Sequence, residues 1–319
     1  MVAGGALPAC VLAFLLPFCP ESPRQLVYRE RPDEAAKVIR RVFPHATPEQ
    51  VDDKIKHITI CVENAKNLNS GKSMWWLLKQ LYFVPANLRA LIPACGVMAI
   101  SQLCGFNSLM YYSPLVFSLV GFSNPVAVGT VIAGTNFIFT ICNLLLVDRV
   151  GRRKVLLCTV QFMGLALIAA AVCFRWIPIN HDLTLAEASG VGWPAILVLV
   201  SMVIFVAFYS SGIGNTAWLG SEFFPMQVRS MGTTMLTMTC WGSNIVVAST
   251  FLTQMENTTP SGAFGFYAGI CLAGWICIYF CFPEVKGMTL ENIEEVFRDG
   301  FGVRKAEALQ RDMRTKTRV

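Results

Sequence analysis

Charged residues are confined to a few segments of this sequence, and long uncharged stretches separate them. A hydrocarbon layer about 30 Å thick needs about 20 apolar residues of helix to cross it. Seven uncharged stretches are long enough to do so, and they cover residues 2–20, 90–125, 126–147, 155–174, 191–221, 230–255 and 257–283. The pattern predicts an all-α, polytopic membrane protein with seven transmembrane helices.

The composition supports this class, since 54% of the residues are hydrophobic and 14% are charged, against about 25% charged in an average soluble domain. The basic residues indicate the topology, because cytoplasmic loops keep Lys and Arg. If residues 20–89 are cytoplasmic, 25 of the 26 Lys and Arg residues lie on that side, and Arg175 is the exception. We therefore expect an external N-terminus, a cytoplasmic 20–89 loop and a cytoplasmic C-terminus. The net charge of +6 is then a topology signal rather than a nucleic-acid footprint.

Patterns for catalysis, cofactors and metals are weak in this sequence. The 12 cysteines lie mostly within the uncharged stretches without a CxxC pair, which indicates small apolar packing residues rather than metal ligands. Gly71-Lys72-Ser73 resembles the end of a phosphate-binding loop, but Lys66 stands where that loop needs glycine. The three His residues lie apart. We expect no enzyme activity, no cofactor and no metal.

The segment after the first stretch is too charged for a membrane and is patterned for surface helices. Thr47-Pro48-Glu49-Gln50 has the order of an N-cap, a proline at the first helical position and a capping-box glutamine. The sequence therefore predicts that a helix begins at Pro48.

Two corresponding helix ends carry a similar short motif. Residues 20–24 read PESPR and residues 283–287 read PEVKG, six predicted helices apart. Many carriers consist of two related halves with a binding site between them. The echo suggests that the first helix is the last one of an N-terminal half.

Four motifs together resemble the sugar porters of the major facilitator superfamily. They are PESPR, the QLCGFN segment at 102–107 with Tyr111-Tyr112-Ser113, DRVGRR at 148–153, and PEVKG. Within that family, NSLMYY at 107–112, GTNF at 134–137 and ASTFLT at 248–253 most resemble the fungal myo-inositol carriers. The resemblance implies a major-facilitator-type helical bundle without the first five helices of the family. Residues 1–19 would be the sixth helix, 20–89 a cytoplasmic linker, 90–285 the six-helix C-terminal half and 286–319 a cytoplasmic tail.

The same region contains a polar stripe that the residues alone indicate. Ser101, Gly105, Ser108 and Tyr112 recur at helical spacing on one face. Close helix packing through small residues explains the glycine and serines equally well.

Two amides favour a ligand site over packing alone. Amides are costly in hydrocarbon unless they are partnered, and Gln102 and Asn107 are five residues apart. They reach the same side only if the helix loosens near Gly105. Discontinuous helices near the midplane are where carriers bind their substrates.

The resemblance assigns further roles to individual residues. Gln102, Asn107 and Asn136 would hydrogen-bond the ligand, Trp218 would cap it, and Tyr111 and Tyr112 would form part of an extracellular gate. Ser101 replaces the first of two glutamines that many family members carry, and Asn215 is a polar candidate without a counterpart in the family pattern.

The stretch from 230 to 255 adds a second candidate face. Thr233, Thr237 and Asn244, with Cys240 or Trp241, recur at helical spacing. The threonine hydroxyls can equally bond their own backbone, so Trp241 and Asn244 are the candidates we retain.

Charged residues at the expected cytoplasmic helix ends form a second constellation. The general excess of Lys and Arg in cytoplasmic loops accounts for Lys154 and Lys286 without a specific role. Resemblance implies that arginines and carboxylates on neighbouring helices form forked pairs that close the cytoplasmic side. The candidates are Glu21, Arg24, Asp148, Arg149, Arg152, Arg153, Glu222, Arg229 and Glu284.

These observations favour a plasma-membrane carrier that moves a small neutral polyol or hexose by alternating access, with myo-inositol as the expected substrate and protons as an implied partner. A separate N-terminal half or a second copy of this chain would complete the working unit. The alternative is a receptor or inactive half-carrier that binds a polyol without moving it.

Overall fold

The computed structural model describes residues 2–69, 73–177, 192–288, 290–298 and 300–316, which form helices and the turns between them. The chain divides into two compact units, residues 1–73 and residues 74–319. The first unit contains α1 (Val2–Leu15), α2 (Pro23–Tyr28), α3 (Pro32–Val42) and α4 (Pro48–Asn69). The second contains α5 (Met74–Phe83), α6 (Pro85–Leu103), α7 (Phe106–Leu119), α8 (Pro125–Val150), α9 (Arg152–Phe174), α10 (Trp193–Ser211), α11 (Ile213–Thr216), a 3₁₀ segment (Ala217–Phe223), α12 (Arg229–Cys281), α13 (Leu290–Arg298) and α14 (Val303–Lys316).

The first unit has a small core of its own, in which Leu26, Val27, Ala35 and Val62 pack together. The helix that the capping-box pattern predicts begins at Pro48, as expected. Thr47 N donates to Gln50 Oε1 at 3.1 Å and Gln50 N donates to Thr47 Oγ1 at 3.4 Å. This reciprocal pair supplies partners for two backbone amides that the first turn leaves unbonded.

Five long apolar helices in the described part of the chain can cross a membrane by length and composition. They are Pro85–Leu119, Pro125–Val147, Arg152–Phe174, Trp193–Phe223 and the 53-residue Arg229–Cys281. The first uncharged stretch gives a shorter apolar helix, Ala6–Phe18. The class of helical membrane protein is confirmed, whereas the count of seven crossings stays a prediction.

The longest helix differs from its predicted division at Glu256. It continues helically to Thr258 and breaks at Thr259, where φ is +64°. Pro260 follows, and a proline cannot donate a hydrogen bond within a continuous helix. Thr259 Oγ1 accepts a hydrogen bond from Gly262 N at 3.4 Å, as an N-cap does for a new helix. Two helical arms therefore occupy the last two uncharged stretches.

The span that begins at Pro85 is interrupted at Gly105. α6 ends at Leu103, Gly105 adopts a φ of +85°, and α7 begins at Phe106. A Cβ atom at this glycine would lie 3.0 Å from the ring of Tyr267. Backbone conformation and close packing both require glycine here. The predicted loosening of this helix near Gly105 is confirmed.

A second interruption follows Ser211, where Gly212 separates α10 from α11. Asn143 on α8 donates through Nδ2 to the carbonyl oxygens of Ser211 and Gly212. Asn215 Nδ2 donates to the Ser210 carbonyl oxygen at 3.0 Å. Side-chain amides therefore satisfy backbone carbonyls that the broken helix frees, as a low-dielectric environment requires.

Candidate functional site

A buried amide cluster lies directly beside the Gly105 break, and Gln102 is its centre. Gln102 Oε1 accepts one hydrogen bond from Asn107 Nδ2 across the break, and a second from Asn244 Nδ2 on α12 at 3.3 Å. Gln102 and Asn244 are buried and Asn107 is half-buried. The cluster joins three helices that meet where the first of them is discontinuous.

Ser101 fixes the other end of the same glutamine. Gln102 Nε2 donates to Ser101 Oγ at 3.3 Å, and Ser101 Oγ donates to the Met98 carbonyl oxygen at 2.7 Å. The serine that replaces a glutamine of the family pattern is therefore an acceptor for the remaining glutamine. This chain of bonds sets which end of the Gln102 amide carries the oxygen.

The hydrogen-bond inventory of the cluster determines what it can offer to a ligand. Both lone pairs of Gln102 Oε1 are engaged. Within the described part of the chain, the second N–H of Gln102 Nε2 and the side-chain oxygens Oδ1 of Asn107 and Asn244 have no hydrogen-bond partner. Neutral donors and acceptors in one place match hydroxyl groups, each of which both donates and accepts.

The remaining substrate candidates are not hydrogen-bonded to this cluster. Asn136 Oδ1 accepts from Thr140 Oγ1 at 3.2 Å on the same helix, and Asn215 bonds the backbone of α10. Trp218 and Trp241 are exposed, by 44% and 59%. Cys240 is buried on the same face as Asn244. Of these two alternatives from the sequence, Cys240 is therefore buried and Trp241 is exposed.

The threonines on that face follow the alternative that the sequence leaves open. Thr233 Oγ1 donates to the Arg229 carbonyl oxygen at 2.9 Å, and Thr237 Oγ1 donates to the Thr233 carbonyl oxygen at 3.0 Å. Both hydroxyls therefore bond their own helix.

The two tyrosines on α7 have different environments. Tyr111 is exposed, whereas Tyr112 is half-buried and stacks on Phe251 of α12 with ring centroids 5.4 Å apart. Tyr112 OH donates to the Ala248 carbonyl oxygen at 3.5 Å. Only Tyr112 of the pair is linked to α12 in this arrangement.

Glu284 organises the helix ends of the second constellation. Its carboxylate is buried and accepts from the backbone N–H groups of Arg152 at 3.2 Å and Arg153 at 3.0 Å, the first residues of α9. Gly151 precedes them with a φ of +102°, and a Cβ atom there would collide with this carboxylate. A negative charge at a helix N-terminus satisfies free amides and interacts favourably with the helix dipole. Glu284 therefore caps α9 from a distant part of the chain.

The described contacts of Arg152 and Arg153 differ from the expected forked arginine pairs. Arg152 makes a single 3.4 Å contact with Glu222, and Arg153 pairs with Glu307 at 3.0 Å. Arg229 donates through Nε and Nη2 to the Phe224 carbonyl oxygen at 3.2 and 3.0 Å. We expected Glu284 to pair with a guanidinium, but its hydrogen-bond donors in the described part of the chain are the backbone amides of Arg152, Arg153 and Lys286.

The remaining predicted gate residues are Glu21, Arg24, Asp148 and Arg149. Glu21 pairs with Arg29 at 3.2 Å inside the first unit, where Arg24 lines a small pocket with Ser22 and Tyr28. The carbonyl oxygen of Arg149 accepts from Lys286 Nζ at 2.7 Å. Asp148 lies on α8, and its side chain falls outside the described set.

Sequence reasoning missed two residues that support these sites. Asn143 donates to backbone carbonyl oxygens that the end of α10 leaves free. The sequence signal that could have identified it is an amide side chain inside an uncharged stretch. Glu307, the partner of Arg153, lies in the charged tail where no local pattern distinguishes it.

Comparisons with known proteins show that this chain is similar to sugar transporters. The sequence profile of the family described as Sugar (and other) transporter matches residues 1–297. Myo-inositol transporter 1 of Cryptococcus neoformans is 41% identical over 98% of this chain and 55% of its own length, and Myo-inositol transporter 1 of Saccharomyces cerevisiae is 37% identical over 97% and 53%. The chain thus spans about half the length of the curated relatives it matches.

Solved structures share the fold. The major facilitator superfamily proton:xylose symporter XylE, bound to 6-bromo-6-deoxy-D-glucose, superposes with a TM-score of 0.70 at 21% identity, covering 92% of this chain and 58% of that one. The inward-open form of XylE from E. coli gives 0.64 at 21% identity, over 92% and 55%.

Proposed function

We propose, on the premise that this chain belongs to the Sugar (and other) transporter family, that it serves transport of a neutral polyol, myo-inositol, by alternating access. Family membership makes it a membrane transporter component rather than an enzyme. The substrate is inferred from relatives such as the Cryptococcus neoformans Myo-inositol transporter 1. The chain spans about half the length of such relatives. Transport by this chain is therefore itself part of the proposal.

The single observation that carries the substrate class is the amide cluster at the Gly105 break. Gln102, Asn107 and Asn244 converge from three helices, and the side chains hydrogen-bonded within the cluster are uncharged. A charged substrate finds no counter-ion among them, whereas a cyclic polyol carries several hydroxyls that match amide donors and acceptors. The cluster therefore favours a neutral, hydroxyl-rich ligand.

Binding at this cluster changes its hydrogen bonds. Asn107 and Asn244 both donate to Gln102 Oε1, so a polyol gains affinity by adding bonds to the remaining groups of the three amides or by replacing these two bonds. A neutral hydrogen bond contributes about 0.5–1.5 kcal/mol net. Because Asn107 and Asn244 lie on different helices, a ligand that pulls either away from Gln102 also changes a contact between helices. Substrate and helix arrangement are thereby coupled.

The helix-end contacts form the other part of the mechanism. Glu284 holds the start of α9, and the Arg152–Glu222 pair links α9 to the 3₁₀ segment after α10. We place this end on the cytoplasmic side, following the distribution of basic residues. These contacts stabilise the form closed on that side and break when it opens. Proton coupling is part of the same proposal and rests on the resemblance alone.

Uptake of labelled myo-inositol into sealed vesicles that contain the 319-residue chain at a verified membrane density tests this function. The proposal expects saturable uptake that excess glucose does not abolish and that Gln102→Ala lowers. The matched control is Gln161→Ala, which removes an exposed glutamine of α9 and leaves the cluster intact. Repeating the assay with and without an imposed pH gradient tests the proton partner. Specific binding without uptake would support the receptor alternative instead.

A further inference from the structure

A pocket with a volume of about 600 Å³ lies at the end of α12, apart from the amide cluster. Its walls come from the start of α9, the last turn of α12, and the turn that joins α13 to α14. The residues that line it include Arg153, Tyr279, Phe280, Arg304, Lys305 and Glu307.

The turn between α13 and α14 places Arg304 and Lys305, in the first turn of α14, at this pocket. Gly302 begins the turn into α14 with a φ of +65°, and a Cβ atom there would collide with the carbonyl oxygen of Val296. Only glycine combines that conformation with that close approach. α13 is held in turn by Arg89 on α6, whose Nη1 donates to the Arg298 carbonyl oxygen at 2.6 Å. The position of Arg304 and Lys305 is therefore fixed by packing of α13 against the membrane helices.

The pocket has the charge of an anion site. Among the described residues that line it, Arg153, Arg304 and Lys305 stand against the single carboxylate of Glu307. Glu307 pairs with Arg153 at 3.0 Å, and Glu295 pairs with Lys305 at 3.2 Å. Both carboxylates are about half exposed, so these pairs are weak and exchangeable. Arg304 is exposed and has no carboxylate partner within the described part of the chain.

The opposite wall is aromatic and faces outward. Tyr279 and Phe280 occupy the last turn of α12 and are 49% and 66% exposed. Arg153 lies over the Tyr279 ring at 5.7 Å, and its Nη2 donates to the Tyr279 carbonyl oxygen at 2.9 Å. α12 is an apolar helix of membrane-spanning length that ends at Cys281, so we expect this wall at the boundary between the hydrocarbon region and the headgroups. Cations and exposed aromatic rings line the same pocket.

We propose that this pocket binds one anionic phospholipid. Its phosphate lies against Arg304, Lys305 and Arg153, and an acyl chain runs along Phe280 and Tyr279. Basic pockets between membrane helices are suited to anionic headgroups. A soluble phosphate compound shares the headgroup chemistry but has no acyl chain to pack against the exposed aromatic wall. The wall is the observation that favours a lipid.

Native mass spectrometry of the full chain, released from micelles that contain phosphatidic acid or phosphatidylcholine, tests the proposal. We expect one phosphatidic acid to be retained in preference to phosphatidylcholine. Arg304→Gln should weaken its retention about fivefold, the factor that loss of one cation near an anionic lipid headgroup gives. The matched control is Lys154→Gln, which removes one exposed cation from the same end of α9 outside the pocket and should leave retention unchanged.

A second variant separates the lipid from a soluble ligand. Phe280→Ser should weaken retention of phosphatidic acid, and millimolar glycerol phosphate should fail to displace the lipid. Equal weakening by Arg304→Gln and Lys154→Gln would overturn the site in favour of general surface charge. Displacement by glycerol phosphate together with an unchanged Phe280→Ser variant would overturn the lipid in favour of a soluble phosphate compound. Equal retention of both lipids would overturn the anion site altogether.

Discussion

Gln102 on α6 and Asn244 on α12 are 142 residues apart in the chain and share a hydrogen bond of 3.3 Å. The bond joins the end of an interrupted helix to the helix packed beside it. It also fills one of the two lone pairs of Gln102 Oε1, while Asn107 fills the other. Hydrogen bonds to this one oxygen therefore connect substrate candidates on three helices, α6, α7 and α12.

The first prediction concerns the coupling of these two residues. Gln102→Ala and Asn244→Ala should each raise the KM for myo-inositol, and the double variant should lose less than the sum of the two. Residues in one hydrogen-bond network show coupling of about 0.5–3 kcal/mol. A double-mutant cycle on uptake or binding measures it. Strict additivity would mean that the two side chains do not act through one site.

The second prediction concerns Ser101 as a positioning residue. Ser101→Ala removes the acceptor of Gln102 Nε2 and frees the amide to turn over. We expect KM to rise about fivefold, which corresponds to about 1 kcal/mol for one neutral hydrogen bond, with kcat changed less. Ser101→Thr keeps the hydroxyl and should preserve most of the affinity. An alanine variant with native KM would show that Ser101 does not orient the glutamine.

The third prediction uses two glycines of the same span. Gly105→Ala forces a side chain into a left-handed conformation and against the Tyr267 ring, and should cost about 1–2 kcal/mol of stability. Gly96 on α6 has nothing within 4 Å of an added Cβ atom, so Gly96→Ala should be neutral or stabilising. Thermal unfolding in detergent compares the two. Equal midpoints would contradict a requirement for the break at Gly105.

The fourth prediction concerns the Glu284 cap. Glu284→Ala leaves the N–H groups of Arg152 and Arg153 without their acceptor and should cost about 1 kcal/mol, as loss of an N-cap does. Hydrogen exchange of the first-turn amides of α9 should accelerate. The control Glu295→Ala removes a half-exposed carboxylate paired with Lys305 and should leave α9 exchange unchanged. Unchanged exchange in both variants would show that α9 does not depend on this cap.

The fifth prediction concerns the Arg152–Glu222 pair. Glu222→Ala removes a contact of the form proposed to be closed on the cytoplasmic side, so the population should shift toward the inward-open form. A cysteine introduced at Asn215, which is exposed beside the α10 break, should then react faster with an impermeant maleimide added from that side. An unchanged labelling rate would reject the gating role.

The sequence predicts features whose causes are local. A glycine between two amides five residues apart indicates the break at Gly105, and the order Thr-Pro-Glu-Gln indicates the capping box of the helix that begins at Pro48. The apolar helices follow from the uncharged stretches, except that Thr259 and Pro260 set the last break three residues beyond the charged residue that suggested it.

Features that depend on distant partners could not be found in this way. The PEVKG motif identifies Glu284 as notable, but nothing in the sequence indicates that its carboxylate binds backbone amides 132 and 131 residues earlier. Helical spacing left Cys240 and Trp241 as alternatives. Packing of α12 then buries the cysteine and exposes the tryptophan.

Direct binding of labelled myo-inositol to the purified 319-residue chain tests the central claim most closely, because it does not require a complete transport cycle. We predict saturable binding that Gln102→Ala abolishes or weakens at least tenfold, while Gln161→Ala, which removes an exposed glutamine of α9, leaves it unchanged. Binding that is absent in a correctly folded chain, or that survives Gln102→Ala intact, would contradict a polyol site at the Gly105 break.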